Sequence, residues 1–266
     1  MLTTIAKTGR VLELFSAERP EWGVTELALK LNLPKSNVHD LLSSLASITL
    51  LQRTAESRYR LGWRIMSMAQ GVTDASILRR HAPRFLQNLA RLTGETTHLA
   101  VWDGQRLMWV GRVLAENGLV HPHAQYGKVI AAYATASGKV LLSELRWDEV
   151  IKHAATDGFV QRTPATIADL ENLKDELARV AMQGFATNRE ESDEGTCAIA
   201  VPVRGSNGRV IAALGVSTPP DRFKALSASH LQAIIRTSAG LSAAILNDTD
   251  LAAQSESALM EHELTG

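Results

Sequence analysis

The sequence predicts an α+β fold built in two parts, a small N-terminal domain of short helices and a larger C-terminal domain of strands and helices. Two observations predict this division. Short helical patterns interrupted by Pro and Gly come first, whereas strand pairs around tight turns at Asp103-Gly104 and Ser206-Asn207-Gly208 mark the rest. The parts we expect are an N-terminal domain over 1–62, a helical linker over 63–80, a second domain over 81–248 and a polar tail over 249–266 with the composition of a disordered segment.

Composition is typical of a globular protein of the cytoplasm. Of the 266 residues, 45% are hydrophobic and 21% are charged, which are values of an ordinary packed domain. No stretch approaches the roughly 18 consecutive apolar residues of a membrane span, and the N-terminus lacks the pattern of a signal peptide. The single cysteine, Cys197, leaves no intrachain disulfide, as is usual in a reducing compartment. We therefore expect a cytoplasmic protein without a membrane partner.

The net charge of zero conceals a basic N-terminal part. Residues 1–70 contain nine Lys and Arg against six Asp and Glu, a balance of +3. Four of the nine lie between Arg53 and Arg64. A basic cluster on one short segment is typical of a surface that contacts nucleic-acid phosphates.

Three helices and a hairpin follow one another in the N-terminal domain. A first helix is predicted over about 5–16, and the residues "ERPEWG" end it. Thr25 caps a second helix over 26–31, where its hydroxyl accepts an amide hydrogen bond. Pro34 opens a third helix, because its missing N–H does no harm in a first turn. The segment "LLQRTAESRYRLG" predicts two strands around a polar turn. Together these elements predict a winged helix-turn-helix.

The third helix has one apolar and one polar face. The apolar positions, spaced i, i+3, i+4 and i+7, are Val38, Leu41, Leu42 and Leu45. The polar positions, with the same spacing on the opposite side, are Ser36, His39, Asp40 and Ser43. The first set predicts a buried face, and the second leaves the helix able to contact a partner.

Helices and strands alternate in the rest of the chain. Residues 63–94 are predicted to be helical, with breaks near Gly71 and Pro83, and to lead into the first hairpin of the second domain. Further helices are predicted from Ser137, from Trp147, over 166–183 with Gly184 behind it, and over 225–246.

Three segments resemble the IclR-type bacterial transcriptional regulators, and the resemblance covers nearly the whole chain. They are "VTELALKLNLPKSNVHDLLSSL" with the hairpin ending "YRLG", then "AYATASGKVLLSEL", then "GFATNREESDEGTCAIAVPVRGSNGRVIAALGVSTPPDRF". The resemblance implies a GAF-like second domain with a central antiparallel sheet and flanking helices. It also implies a homodimer or homotetramer that binds operator DNA and responds to a small organic or aromatic acid. We expect a repressor of a catabolic operon, although operator position decides between repression and activation.

In such a domain the third helix enters the major groove, and the wing contacts phosphates or the minor groove. The DNA-binding residues we expect are Thr25, Lys35, Ser36, Asn37, His39, Asp40 and Ser43, followed by Arg53, Arg58, Tyr59 and Arg60 of the hairpin. Asp40 departs from the basic or neutral residue that the resemblance leads us to expect. Its carboxylate repels phosphate and suits a cytosine amino group. The alternative is an ordinary surface helix with a polar outer face.

The resemblance also implies an effector site around "TASGKV", where a helix begins and free backbone amides suit an anionic group. The effector-binding residues we expect are Thr135, Ala136, Ser137, Gly138, Asn188, Arg189, Cys197, Gly215 and Ser217. Gly215 stands where a second hydroxyl would match the family better, so we expect more room or a different ligand there. The alternatives are that Ser137 only caps the helix and that Cys197 is a small buried hydrophobe.

Two other functions compete with a ligand-responsive regulator. One is an enzyme that uses Cys197 on the GAF-like domain, against which the chain offers no resolving thiol. The other is an architectural DNA-binding protein without a ligand. His98, His121 and His123 together with Cys197 match no zinc spacing, so we interpret the histidines as surface loop residues. We predict no metal, no cofactor and no catalytic residue.

Overall fold

The structure, a computed structural model, describes residues 3–104, 106–115, 129–225 and 228–264. The chain divides into two compact units, Met1–Ser76 and Ile77–Gly266. The α+β class that the sequence predicts is confirmed, with helices and a small sheet first and a larger antiparallel sheet second. Within the described residues, no helix combines the length and the apolar character needed to cross a bilayer.

The first unit combines four helices with a three-stranded sheet. Its elements are α1 (Thr3–Leu12), β1 (Glu21–Trp22), α2 (Val24–Leu31), α3 (Lys35–Ser47), β2 (Leu51–Arg53), β3 (Tyr59–Leu61) and α4 (Arg64–Ala75). The strands are antiparallel in the order β1-β3-β2, so the predicted hairpin gains a third strand from a segment that the sequence predicts only as a break. The Trp22 indole fixes this strand by donating a hydrogen bond to the Leu14 carbonyl at 2.8 Å.

Helix α2 begins earlier than predicted, and Thr25 does not cap it. Gly23 is the N-cap residue, and the Glu26 carboxylate accepts a hydrogen bond from the Gly23 amide at 2.9 Å. A carboxylate that reaches back from the third helical position satisfies this amide as a capping hydroxyl would satisfy another. Thr25 therefore lies within the first turn, with an exposed side chain.

The second unit places a six-stranded sheet between two layers of helices. Its elements are α5 (Ile77–Thr93), β4 (Thr96–Trp102), β5 (Leu107–Val113), β6 (Val129–Ile130), a 3-10 turn (Ala132–Ala134), α6 (Ala136–Leu142), α7 (Trp147–Asp157), α8 (Leu170–Gln183), β7 (Ala186–Arg189), β8 (Cys197–Arg204), β9 (Val210–Thr218), α9 (Pro220–Ala225) and α10 (Ala228–Leu264). The strand order is β6-β5-β4-β9-β8-β7, and each neighbouring pair is antiparallel.

Side chains alternate between the two faces of this sheet, so each face forms a separate hydrophobic core with the helices that cover it. Helices α5 and α10 cover one face of the sheet, where Leu214 and Val216 are fully buried. Helices α6, α7 and α8 cover the other face, where the small side chains of Ala200 and Ala213 pack against them. We call this second surface the α6 face of the sheet.

Two helical segments differ in extent from the prediction. The helical segment after residue 63 breaks at Ser76 and not near Gly71, and Pro83 lies inside α5 at an exposed position. Helix α10 continues through Leu264, where the composition predicted a disordered tail. The continuation has a simple cause, because no Gly or Pro interrupts residues 247–264.

Candidate functional site

The first candidate site is the outer face of α3 in the first unit. Val38, Leu42 and Leu45 are buried against the rest of the unit, as their spacing predicts. The exposed residues of the opposite side are Lys35, Ser36, Asn37, His39 and Asp40, and Ser43 beside them is half-buried. The helix therefore presents a continuous polar surface from its first turn.

Charge on this outer face is mixed. The Asp40 carboxylate lies 3.6 Å from His39 Nδ1, and both side chains are exposed. The pair is an ion pair whenever His39 is protonated, which reduces the repulsion between Asp40 and an approaching phosphate. Lys35 places a full positive charge at the N-terminal end of α3. This is the end of a recognition helix that contacts base edges.

Two arginines of the β2–β3 hairpin extend this surface. Arg60 Nε and Nη2 donate to Gln52 Oε1 at 3.2 and 3.1 Å, and Arg53 Nη2 donates to Ser57 Oγ at 3.0 Å. Both arginine side chains are exposed. Because Gln52 and Ser57 are neutral, these hydrogen bonds orient the guanidinium groups without cancelling their charge.

The structure corrects the roles of the other two hairpin residues. Arg58 Nη2 donates to Glu26 Oε2 at 2.8 Å and to the Glu21 carbonyl at 3.0 Å, so it joins the hairpin to α2. The Gly23 amide and then Arg58 hold the pKa of Glu26 below its ordinary value. Tyr59 is only 2% exposed and belongs to the core. Arg58 therefore ties the wing to the rest of the unit, and Tyr59 anchors the wing in the core.

The second candidate site is a buried polar cluster on the α6 face of the second unit. His98 Nε2 lies 3.0 Å from Ser137 Oγ, and His98 Nδ1 lies 3.3 Å from Ser217 Oγ. The three side chains are at most 4% exposed. We call them the His98 cluster. One imidazole thus joins the start of α6 to strand β9, and both serines are among the residues that the resemblance implies.

Local backbone geometry directs Ser137 toward the imidazole. Thr135, and not Ser137, is the N-cap of α6, because the Thr135 hydroxyl accepts from the Gly138 amide at 3.1 Å. Ala136 is buried in the first turn. A Cβ on Gly138 would collide with the carbonyl of Ala132, so the 3-10 turn and α6 can meet only at a glycine. The interpretation of Ser137 as a mere cap is therefore wrong.

The expected extra room at Gly215 is absent, because an imidazole fills it. His98 is the cross-strand partner of Gly215. A Cβ on Gly215 would lie 2.7 Å from His98 Cε1 and 3.0 Å from Cδ2, closer than side chains tolerate. The Trp109 ring, with its centroid 5.5 Å from that of His98, packs beside it. His98 is thus a buried strand residue, and its interpretation as a surface loop histidine is wrong.

Asn188 lies at the edge of the α6 face and shapes the loop after β7. Its side chain is 2% exposed; Nδ2 donates to Ser192 Oγ at 2.9 Å, and Oδ1 accepts from the Glu191 amide at 2.7 Å. Both ends of the amide are therefore used within the loop. This places Asn188 as a residue that orders the acidic loop near the His98 cluster.

Arg189 and Cys197 are not brought to the His98 cluster. They pair with each other across β7 and β8, one position out of phase with Asn188, so alternation directs them to the opposite face. The Arg189 guanidinium lies 5.5 Å from the Phe223 ring centroid, on that opposite face. Burial raises the pKa of the Cys197 thiol. The structure corrects the grouping of these two residues with Ser217.

Sequence reasoning missed a buried ion pair beside this site. Lys139 on α6 is 1% exposed, and its Nζ donates to Glu191 Oε1 and Oε2 at 2.8 and 2.9 Å and to Glu176 Oε1 at 2.9 Å. Burial raises the pKa of Glu191, and Lys139 opposes that shift. A signal existed, since Lys139 is the one charged residue in the otherwise small and apolar segment "ATASGKVLL".

The histidines do not assemble a metal site in the described part of the chain. Residues 3–104, 106–115, 129–225 and 228–264 contain no group of three or more His, Cys, Asp and Glu side chains arranged to hold an ion. His121 and His123 lie outside the described residues.

Comparison with known proteins identifies both units. Residues 4–55 match the family model of the IclR helix-turn-helix domain, and residues 70–242 match that of the bacterial transcriptional regulator IclR C-terminal domain. The chain is 32% identical over 225 residues to the transcriptional regulator XynR of Escherichia coli, which covers 84% of this chain and 88% of XynR. It is 30% identical over 239 residues to KdgR of the same organism, covering 90% of each chain.

A solved structure shares the fold. It is an IclR homologue from Microbacterium hydrocarbonoxydans in complex with 4-hydroxybenzoate. The TM-score is 0.77 at 22% identity, over 91% of this chain and 99% of the other.

Proposed function

The chain belongs to the IclR family of bacterial transcriptional regulators. We propose that it binds operator DNA as a homodimer or a dimer of dimers. In this proposal it represses a catabolic operon until a small organic or aromatic acid binds its second unit. Its relatives are regulators of transcription and not enzymes, so the alternative of a thiol enzyme is not favoured. A protein that binds operator DNA in this way acts in the cytoplasm.

The outer face of α3 is the single observation that carries the DNA-binding role. Its exposed polar residues begin at the first turn, which is the part of a recognition helix that contacts base edges. Asn37 suits an adenine, and Lys35 suits a phosphate or a guanine. Arg53 and Arg60, whose partners are neutral, supply the phosphate contacts of the wing. An ordinary surface helix would not need this charged flank.

The His98 cluster supports an acid as the effector. It combines two hydroxyls, each held by the same imidazole, on one enclosed surface, and both hydroxyls can donate hydrogen bonds to a carboxylate. The Microbacterium homologue holds 4-hydroxybenzoate. An aromatic acid is therefore the first class of ligand to test here. We infer that Ser137 and Ser217 contact the acid group and that Asn188 orders the neighbouring loop.

Coupling between acid and operator requires two arrangements of the dimer. A dimer reads two half-sites about one helical turn, or 34 Å, apart. The acid changes operator affinity only to the extent that it binds the two arrangements unequally. Such a response needs no contact between the acid and the DNA.

The test begins with a selection of duplexes from a random library by the full-length protein. Fluorescence anisotropy then follows the selected operator while 4-hydroxybenzoate, benzoate or pyruvate is added. We expect paired half-sites in the selected sequences and, for at least one acid, a fall in operator affinity of about five- to 150-fold. A protein that selects no sequence, or whose operator affinity no acid alters, would contradict the proposal.

Two serine variants make the test specific for the site. Ser217→Ala should bind the operator normally and lose most of the acid response, because it removes a donor of the His98 cluster. Ser143→Ala is the matched control, since Ser143 Oγ only donates to the Val140 carbonyl at the end of α6. Equal acid responses in the two variants would remove Ser217 from the site.

A thermal-shift screen in which no acid stabilises the protein would favour the architectural alternative.

A further inference from the structure

The close approach of His98 to Gly215 is specific to this pair of residues. The two are direct cross-strand partners on β4 and β9. A Cβ at 215 would lie 2.7 Å from His98 Cε1, and closer still to Nε2. The obstacle is a ring whose two nitrogens both have partners, so it cannot simply swing aside. Any side chain at 215 therefore requires His98 to leave its position.

The partners of His98 suit either protonation state of the ring. A serine hydroxyl both donates and accepts, so Ser137 and Ser217 can each accept from an imidazolium N–H or donate to a bare nitrogen. The ring can therefore gain a proton without leaving either of these buried nitrogens unsatisfied. When the two ring N–H groups donate to the serine oxygens, the two hydroxyl protons are free to donate to a carboxylate.

We propose that His98 is a specificity-determining residue of the effector site: seated in the space that Gly215 leaves open, its imidazole directs the Ser137 and Ser217 hydroxyls to the acid group of the ligand, and its charge selects a carboxylate over the corresponding neutral amide. The inference rests on the proposed function, because it needs an acid to bind on the α6 face. No covalent bond changes, and the only transfer is of a proton from solvent to the ring.

The expected selectivity follows from the kind of hydrogen bond. A hydrogen bond from a serine hydroxyl to a carboxylate is charge-assisted and roughly twice as strong as a bond between neutral groups, and a charged imidazole behind the hydroxyl favours it further. An amide of the same shape can accept a hydrogen bond from the same hydroxyls but brings no negative charge. We therefore expect the acid to bind at least about tenfold more tightly than its amide, within the range by which charged and neutral hydrogen bonds differ.

Calorimetry on the full-length protein tests this selectivity. The probes are three matched pairs: 4-hydroxybenzoate with 4-hydroxybenzamide, benzoate with benzamide, and pyruvate with pyruvamide. For whichever acid binds, His98→Ser should retain a hydroxyl donor and lose the preference for the acid, so that the ratio of the two affinities falls to within about threefold. His98→Gln, which keeps more of the volume, should lose the preference as well. His153→Asn, a half-buried histidine against Trp102, is the matched control and should keep the wild-type ratio.

A size-exchange experiment tests the position of the ring independently. Gly215→Ser alone should displace His98, lower the thermal stability and abolish acid binding. Combining it with His98→Ala should restore folding, because the new hydroxyl then enters the space that the imidazole occupied. Normal stability and acid binding in Gly215→Ser would show that the ring does not fill this space and would overturn the inference.

The outcomes separate this inference from the proposed function. If no acid binds the wild-type protein, the proposed acid response fails and the role of His98 fails with it. If an acid binds and releases the operator but His98→Ser and His98→Gln, folded by circular dichroism, keep the wild-type preference for acid over amide, only the role of His98 is wrong.

Discussion

The two units of this protein differ in the polar side chains that they bury beside their apolar cores. Among the described residues between 3 and 76, each buried side chain is apolar. The second unit, beside its apolar cores, also buries charged and polar residues such as His98, Lys139, Asn188 and Ser217. The contrast matches the two proposed tasks. The first unit keeps its polar groups on the surface, where a duplex can reach them, and the second encloses them, where a small molecule would be surrounded.

Burial makes the polar residues of the second unit sensitive to change. A buried polar group without a partner costs roughly 1–3 kcal/mol, and a buried charge without one costs more. Within the described part of the chain, Thr218 Oγ1 is the buried side-chain oxygen or nitrogen that lacks a hydrogen-bond partner. We therefore expect single substitutions of buried polar residues in the second unit to lower its stability. Single substitutions of exposed polar residues in the first unit should instead weaken DNA binding.

The largest effect is expected from Lys139→Ala. The substitution leaves Glu191 and Glu176 without their buried cation, and removal of one partner of such a pair costs about 3–5 kcal/mol. Urea unfolding of the full-length protein measures it. Lys224→Ala, at an exposed position on α9, is the control and should change the free energy of unfolding by less than about 0.5 kcal/mol. Similar values for both variants would contradict the contrast between the units.

A paired substitution sharpens the same comparison. Lys139→Met combined with Glu191→Gln removes one buried charge of each sign, so much of the lost stability should return. If the double variant is as unstable as Lys139→Ala, then packing around α6 and not the ion pair determines the effect.

On the surface of the first unit, Asn37→Ala should reduce specificity without reducing stability. Loss of a side chain that contacts a base edge costs about 1–3 kcal/mol on the best operator and little on random duplexes. Anisotropy titrations on both duplexes measure the difference, with Ser47→Ala at the exposed end of α3 as the control. An equal loss on the two duplexes would indicate that Asn37 contacts only the backbone.

Two neighbouring arginines of the hairpin should behave differently. Arg60→Ala should weaken binding to every duplex and reduce the salt slope by about 1, because it removes one phosphate contact. Arg58→Ala should instead lower the thermal stability of the first unit slightly and leave the salt slope unchanged, since Arg58 holds Glu26 in a partly exposed ion pair. Salt titrations and thermal unfolding of both variants separate the two roles. A reduced slope without loss of stability in Arg58→Ala would restore it to the DNA-contacting set.

The smallest effect concerns acid pH. The Gly23 amide and Arg58 lower the pKa of Glu26 below its ordinary value of 4.5. Its contribution to stability is therefore complete above pH 4.5 and is lost as the pH falls through the lower folded-state pKa. Unfolding of wild type and Glu26→Gln between pH 7 and pH 3 should show a difference that shrinks on acidification. A difference that is constant with pH would exclude this carboxylate as its source.

The sequence predicts the first unit better than the second because helical periodicity is a local signal. The spacing of Val38, Leu42 and Leu45 is enough to indicate which side of α3 is buried. The role of Arg58 is not local, because its partner Glu26 lies 32 positions away. A hydroxyl is the usual acceptor at a helix start, which predicts Thr25 as the cap, yet Gly23 is the N-cap residue and the Glu26 carboxylate accepts its amide.

In the second unit the informative contacts are almost all distant in sequence. His98 meets Ser137 and Ser217 from 39 and 119 positions away. The family resemblance indicates the two serines but offers no reason to include the histidine. The faces of Arg189 and Cys197 depend on the register of β7 and β8, which no spacing within one segment determines. Only the pairing of β7 with β8 determines on which face of the sheet each of these side chains lies.

Methylation protection on a selected operator tests the central claim most directly, because dimethyl sulfate modifies guanine N7 in the major groove. If the outer face of α3 enters that groove, the wild-type protein should protect guanines in two clusters about one helical turn apart. Protection should weaken in Lys35→Ala and persist in Arg60→Ala at saturating protein. A fully bound duplex whose guanines all remain reactive would show that α3 does not occupy the major groove, and the account would be wrong.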